Sequence, residues 1–136
     1  MNDRFLDSGY VAAIELENDQ CHLAATAHWR GAMSPSPTRL VTTSFVFDEI
    51  VTFLSARGRR QRAVEVGDWL LSSKYLHFID VDRNLFDDGW SFFRLHDDKR
   101  FSLTDCISFV VMKRLGITTA LTFDHHFRQA GFQVEP

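Results

Sequence analysis

The spacing of apolar residues along the chain changes between short β-rich runs and helical repeats. Phe47, Ile50, Val51 and Leu54 recur at i, i+3, i+4 and i+7, which is the spacing of an amphipathic helix. No hairpin signal such as Asn-Gly separates two alternating runs. Strands that alternate with helices favour an α/β domain with a mostly parallel sheet of about five strands. The predicted strands cover 4–6, 40–43, 75–81, the run between Gly116 and Asp124, and 132–134.

Several helix ends are marked by capping or breaking residues. Asp82 is a candidate N-cap for the helix that runs through Phe93, and Gly58 ends the helix that contains Ile50. The Ser-Pro-Ser-Pro segment at 34–37 stops the helix that is predicted over 21–33. Further helices are predicted over 10–16, 61–73 and 125–130.

The stretch 101–127 combines a capped helix, a glycine stop, a short strand and a final aspartate. Ser102 and Asp105 have the spacing of a capping box, with aspartate where glutamate is usual. Gly116 ends the helix, and Asp124 follows the strand at a position where it could cap the next helix. Taken alone, helix capping explains both aspartates.

Four carboxylates are placed to converge if the sheet is parallel. The functional crevice of such a sheet lies beyond the carboxyl ends of its strands, where Asp7 and Asp124 both fall. Asp105 enters from a helix N-terminus, and Glu49 enters from the rim of an apolar helix stripe. Four converging carboxylates would repel one another and raise their pKa values unless a cation lay between them. Oxygen ligands of this kind suit hard divalent ions such as Mg²⁺ or Mn²⁺.

Composition limits the class of protein. A chain of 136 residues corresponds to one domain, so a single domain over 1–136 is expected. Its hydrophobic content of 45% and charged content of 24% are typical of a soluble globular protein. Neither a secretory signal nor a membrane-spanning run is recognised. Cys21 and Cys106 form no CxxC pair, which argues against disulfides and zinc and predicts a cytoplasmic protein.

The net charge of −3 predicts no general affinity for polyanions, but basic residues cluster locally. Candidates for contact with RNA phosphates are Arg59, Arg60, Arg62, Lys99 and Arg100. A solvated surface explains such residues equally well, so that alternative stays open. Most histidines show no metal-ligand spacing such as His-x-x-x-His and are assigned no site: His22, His28, His77, His96 and His126.

The four acidic positions lie in segments that resemble the PIN domain family, and within it proteins of the VapC type. The segments are FLDSG at 5–9, TSFVFDE at 43–49, FSLTDC at 101–106 and LTFDHHF at 121–127. The last two segments carry the most specific motifs, and the resemblance covers essentially the whole chain. It implies a single PIN-like domain with three α/β/α layers.

The resemblance also implies a function. Proteins of the VapC type are metal-dependent endoribonucleases that hydrolyse RNA phosphodiester bonds, commonly as the toxin of a type II toxin–antitoxin pair, and the resemblance implies the same activity here. The residues that would be catalytic and would hold one or two Mg²⁺ or Mn²⁺ ions are Asp7, Glu49, Asp105 and Asp124. Ser8 would orient the first carboxylate or a water on the metal, and Thr122 would support the site, with Asp98 and His125 as lesser candidates. RNA and an antitoxin protein are the implied partners, and a homodimer stays open.

Two other interpretations are compatible with the same residues. A PIN-like module could bind RNA or a protein partner without catalytic turnover, although all four acidic positions are filled. A haloacid-dehalogenase-type phosphatase also begins with a strand and an aspartate. That family has a second aspartate two positions later, however, where Gly9 stands in this chain.

Overall fold

The computed structural model of the protein describes residues 2–33 and 38–136. Its five strands are β1 Arg4–Leu6, β2 Leu40–Thr43, β3 Leu76–Ile79, β4 Thr119–Leu121 and β5 Gln133–Glu135. They form one sheet in the order β3-β2-β1-β4-β5, and every neighbouring pair is parallel. The predicted α/β class with a parallel sheet of about five strands is therefore confirmed.

Helices connect consecutive strands and cover both faces of the sheet. They are α1 Ser8–Glu15, α2 His22–His28, α3 Ser44–Ala56, α4 Arg60–Ser72, α5 Arg83–Leu95, α6 Leu103–Leu115 and α7 His126–Gln129. The chain moves from β1 to β3 in one direction and from β4 to β5 in the other, so right-handed crossovers place the two sets of helices on opposite faces. In agreement, α1 to α4 pack on one another, and so do α5 to α7. Among the described residues, no helix combines the length and apolar character that a membrane crossing requires.

Most predicted boundaries agree with the structure to within one or two residues, but three differ in character. The helix predicted over 21–33 consists of α2 followed by one π-helical turn, Trp29–Met33. Asp7 leads directly into α1, which begins at Ser8, two residues before the predicted start of this helix. The strand predicted over 75–81 is shorter, because β3 is an edge strand with only partial cover. The stop predicted at 34–37 lies outside the described residues.

Local capping fixes where the helices near the site begin and end. The Thr43 hydroxyl accepts a hydrogen bond from the Val46 N–H at 3.2 Å and starts α3. Asp82 accepts from the Leu85 N–H at 2.8 Å and starts α5, as predicted. Gly116 ends α6 with φ of 68°, a backbone conformation that other residues rarely adopt.

Phenylalanine rings fill the core between the sheet and α6. The rings of Phe5, Phe109 and Phe127 are fully buried, with centroids 6.2 Å apart for Phe5 and Phe127 and 5.0 Å apart for Phe109 and Phe127. Helix α5 approaches α6 closely at Gly89, where an added Cβ would lie 2.4 Å from Ile107 Cγ1. This packing holds α6, whose first turn carries Asp105.

Candidate active site

The predicted site lies at the carboxyl ends of β1 and β4. The strand order reverses between β1 and β4, because β2 lies on the other side of β1. Strands β1 and β4 therefore flank the topological switch point, where open α/β sheets bind ligands. Asp7 directly follows β1, and its N–H donates to the Leu121 carbonyl at 3.1 Å. Thr122 directly follows β4. Asp7 therefore lies at the edge of the sheet where the crevice opens, next to the end of β4.

Asp7 is the most deeply buried carboxylate of the predicted site, with 6% of its surface exposed. The Thr122 hydroxyl donates to Asp7 Oδ2 at 2.6 Å. The pKa of Asp7 is raised to about 7, mainly by burial and in part by the charges of Asp105 and Glu49. Hydrogen bonds from Thr122 and from the Ser8 backbone act in the opposite direction. Without a cation, this carboxyl therefore holds its proton for part of the time near neutral pH.

Glu49 reaches the site from the second turn of α3 and is half-buried, as its position at the edge of the apolar stripe predicted. The Ser8 hydroxyl donates to Glu49 Oε1 at 2.9 Å. Burial is the main cause that raises the pKa of Glu49, while hydrogen bonds from Ser8 and Thr104 lower it. Ser8 was predicted to orient Asp7 or a water on the metal; in the structure its hydroxyl bonds Glu49, and its backbone bonds Asp7. Thr104 was not singled out from the sequence.

Asp105 closes the predicted capping box, and its carboxylate lies beside the other acids of the predicted site. Its side chain accepts from the Ser102 N–H at 3.2 Å, and the Ser102 hydroxyl accepts from the Asp105 N–H at 3.0 Å, which completes the capping box. The carboxylate is also 8% exposed and faces the other acids. Burial, followed by the charge of Asp124, raises its pKa, whereas the Ser102 backbone and His126 lower it. Capping thus accompanies membership of the site.

Asp124 is held in a tight turn with His126, which sequence reasoning had assigned no site. The His126 N–H donates to Asp124 Oδ1 at 2.9 Å, and the Asp124 N–H donates to the Thr122 hydroxyl at 3.0 Å. His126 Nδ1 lies 3.2 Å from Asp124 Oδ1 and 3.2 Å from Asp105 Oδ2. A search for pairs of histidines could not find it, because its partners are carboxylates. The signal that was available is its position two residues after an acid in a turn.

The lesser candidates lie at the margin. The His125 side chain is 72% exposed, with Nδ1 3.8 Å from Asp124 Oδ1. The Asp98 side chain is 70% exposed, and its nearest cation is Lys99 at 3.8 Å. Neither side chain is buried with the four acids.

The four acids repel one another, and a divalent cation between them would compensate their charge. Their mutual repulsion contributes to the raised pKa values of Asp7, Glu49 and Asp105. Within residues 2–33 and 38–136, no lysine or arginine forms an ion pair with any of the four acids. Clustered carboxylates without a lysine or arginine partner are suitable ligands for hard ions such as Mg²⁺ and Mn²⁺.

One group of three donor atoms is drawn more closely together than the four acids are. In the described part of the chain, ligand atoms of Asp124, His125 and His126 all lie within 4.8 Å of one another, and no three of the four acids reach that spacing. The four carboxylates are therefore more widely spaced than this group, which shares Asp124 with them.

The basic candidates differ in availability. Arg62 contacts Glu15 and also lies 3.1 Å from Glu65, so its guanidinium is engaged within the protein. Side chains that are exposed in the structure are Arg59, Arg60, Lys99 and Arg100. Lys99 and Arg100 lie two to three residues before Ser102, the first residue of the α6 capping box, which makes them the basic candidates nearest along the chain to one of the acids.

Comparison with known proteins identifies relatives over nearly the full length. The family model of the PIN domain matches residues 4–133. The 23S rRNA-specific endonuclease VapC20 of Mycobacterium tuberculosis, in strains CDC 1551 / Oshkosh and ATCC 25618 / H37Rv, is 31% identical over 133 residues, which are 97% of this chain and 98% of that protein.

Solved structures give the same result. The crystal structure of M. tuberculosis VapC20, described as a Sarcin-Ricin loop cleaving toxin, has a TM-score of 0.87 at 30% identity and covers 97% of this chain and 98% of that one. The crystal structure of FitAcB from Neisseria gonorrhoeae shares the fold, with a TM-score of 0.66 at 13% identity over 97% and 96% of the two chains. The chain therefore belongs to the PIN domain family, in agreement with its resemblance to VapC-type proteins.

Proposed function

We propose that this protein is a metal-dependent endoribonuclease that hydrolyses RNA phosphodiester bonds and acts as the toxin of a type II toxin–antitoxin pair. The observation that supports the proposal most directly is the meeting of Asp7, Glu49, Asp105 and Asp124 at the switch point without a lysine or arginine partner among the described residues. The likeness to VapC20, which is named a 23S rRNA-specific endonuclease and a Sarcin-Ricin loop cleaving toxin, suggests the substrate. Large-subunit ribosomal RNA, and that loop in particular, is the first target to test.

The four acids would hold one or two Mg²⁺ or Mn²⁺ ions. A divalent cation at such a site supplies Lewis acidity, which activates water and stabilises negative charge on phosphate oxygens. The protein's own groups prepare the ligands. Thr122 donates to Asp7, and Ser8 donates to Glu49, so both hydroxyls favour the ionised carboxylates.

No protein nucleophile is required for this reaction. Cys106 adjoins Asp105 but is fully buried, and burial raises the pKa of its thiol to about 11. It therefore serves the core. An antitoxin that covers the site, a cytoplasmic location and a homodimer belong to the same proposal, on the strength of the VapC likeness.

The proposal is tested with purified protein that has been freed of partner protein and of metal. We expect it to cut an RNA that contains the sarcin–ricin loop when Mg²⁺ or Mn²⁺ is added, and not in the presence of EDTA. Asp7→Asn and Asp105→Asn should each lower the cleavage rate by at least about a hundredfold while the circular dichroism spectrum is unchanged. Asp98→Asn, which removes an exposed carboxylate with the same chemistry, is the matched control and should leave the rate unchanged.

Cleavage that persists in EDTA, or in both aspartate variants, would contradict the proposed metal-dependent mechanism. Binding of the RNA without any metal-dependent turnover would instead support the interpretation as a non-catalytic binding module. Cleavage of other RNAs at equal rate would leave the nuclease assignment intact and exclude the proposed substrate.

A further inference from the structure

We infer that Asp124, His125 and His126 form a mixed nitrogen and oxygen metal position beside the carboxylate cluster, and that it selects Mn²⁺ over Mg²⁺, an inference that rests on the proposed function only for the presence of metal. Asp124 is shared with the predicted acidic set, whereas the two imidazoles are additional. His126 is the central ligand because it is the histidine whose ring is turned into the site.

The distances fit a single ion. Two ligands that each lie about 2.1 Å from one ion, at angles between 90° and 120°, are about 3.0 to 3.6 Å apart. His126 Nδ1 is 3.2 Å from Asp124 Oδ1, within this range. His125 Nδ1 is 3.8 Å from the same oxygen, and its side chain is 72% exposed, so a small rotation completes the set. One ligand atom from each of the three residues already lies within 4.8 Å of the other two.

The His126 side chain is held in place by its packing and by a hydrogen bond of its backbone. Its side chain is only 18% exposed, and its ring meets the Phe101 ring edge-on, with centroids 5.5 Å apart and an angle of 78°. Its N–H closes the turn onto Asp124 at 2.9 Å. Nδ1 therefore points at Asp124 and Asp105 before any ion arrives. Such preorganisation lowers the cost of recruiting an imidazole as a ligand.

A hydrogen-bond role is the alternative to ligation. A protonated Nδ1 could donate to Asp124 or Asp105 and simply hold these carboxylates in place. The two roles differ in their dependence on the metal. A positioning hydrogen bond supports every ion that the carboxylates bind, whereas an imidazole ligand favours transition metals, since Mg²⁺ prefers oxygen and retains water.

The experiment measures metal binding by the metal-free, full-length protein without RNA. Mn²⁺ is titrated by electron paramagnetic resonance, and Mg²⁺ is measured by competition. We expect His126→Asn to weaken Mn²⁺ by at least about tenfold and Mg²⁺ by less than about twofold. His125→Asn should weaken Mn²⁺ to a smaller degree. His77→Asn, at an exposed histidine on β3, is the control and should change neither.

A direct readout needs no variant. Electron spin echo modulation from ¹⁴N should appear on Mn²⁺ bound to the wild-type protein and should be lost in His126→Asn. Equal weakening of both ions, or wild-type Mn²⁺ without ¹⁴N modulation, would overturn the inference and leave His126 as a positioning residue. Loss of metal-dependent RNA cleavage is not among these readouts, so failure here and failure of the proposed function are distinguished.

Discussion

The Thr122 hydroxyl lies 2.6 Å from Asp7 Oδ2 and joins residues that are 115 positions apart in the chain. The Thr122 hydroxyl oxygen also accepts a hydrogen bond from the Asp124 N–H at 3.0 Å. One fully buried threonine therefore fixes the acid that follows β1 and the acid in the segment after β4. It also opposes the effect of burial on Asp7, because a hydrogen bond to a carboxylate favours the ionised form.

Replacement of this hydroxyl should weaken the site without unfolding the protein. Thr122→Val keeps the volume and the β-branch, but it removes the donor to Asp7 and the acceptor for Asp124. A hydrogen bond to a charged group contributes about 1.5 to 3 kcal/mol, so we expect metal affinity to fall about 10- to 100-fold. RNA cleavage at limiting metal should fall in parallel, measured as the rate against Mg²⁺ concentration.

Thr122→Ser is the matched control because it retains the oxygen. It should keep most of the metal affinity. A valine variant with wild-type affinity would show that the bond from Thr122 does not prepare Asp7.

The stability of the metal-free protein should fall as the pH rises from about 4 to about 7. The pKa of Asp7 is raised to about 7 in the folded protein, against about 3.9 for an ordinary aspartate. Over this window the folded protein holds a proton that the unfolded chain has lost, so unfolding releases it and the free energy of unfolding decreases with pH. The full decrease from Asp7 is on the order of 4 kcal/mol. The raised pKa values of Glu49 and Asp105 act in the same direction.

Urea unfolding in EDTA at several pH values measures this slope. Asp7→Asn should be less sensitive to pH and, above pH 7, more stable than the wild type, because the amide need not be ionised. Saturating Mn²⁺ should flatten the wild-type profile, since a bound cation compensates the buried charge. A wild-type stability that rises over this pH range would contradict the burial of an unpaired acid.

The basic residues near α6 should affect RNA binding more than those at the start of α4. Lys99→Gln with Arg100→Gln removes two exposed charges beside Ser102, whereas Arg59→Gln with Arg60→Gln removes two exposed charges elsewhere. We expect the first pair to raise KM without lowering kcat. It should also reduce the dependence of log affinity on log salt by about 1.4, as two lost contacts to single-stranded RNA predict.

Equal effects of the two pairs would indicate a general charge effect instead of a local contact. The control shares the same net charge, so the comparison depends on position alone. Arg62 is left unchanged in both, because Glu15 and Glu65 engage it.

Features that depend on local sequence were predictable from the residues. The strand at 4–6 followed by Asp7, the capping box of Ser102 and Asp105, and the stop at Gly116 all appear where their patterns placed them. Each depends on residues within a few positions of one another. The parallel sheet followed from strand and helix alternation, and it brought the ends of β1 and β4 together.

Features that depend on distant partners were not predictable in this way. The Ser8 hydroxyl could have bonded Asp7 or Glu49, and only the approach of α3 to α1 decides for Glu49. Arg62 reads as a free charge until the folded chain brings Glu15 beside it. His126 faces two acids because of the turn at Asp124 and the Phe101 ring, neither of which has a histidine-spacing signature.

The capping box at the start of α6 has a consequence for how this protein can change over generations. Asp105 closes the box with Ser102 and also faces the other acids. Substitution by an apolar residue therefore loses the acceptor for the Ser102 N–H together with the site carboxylate, whereas asparagine can still accept that N–H. Homologues without a carboxylate at position 105 should accordingly carry asparagine more often than alanine. Such homologues would lose the acidic cluster and keep the start of α6.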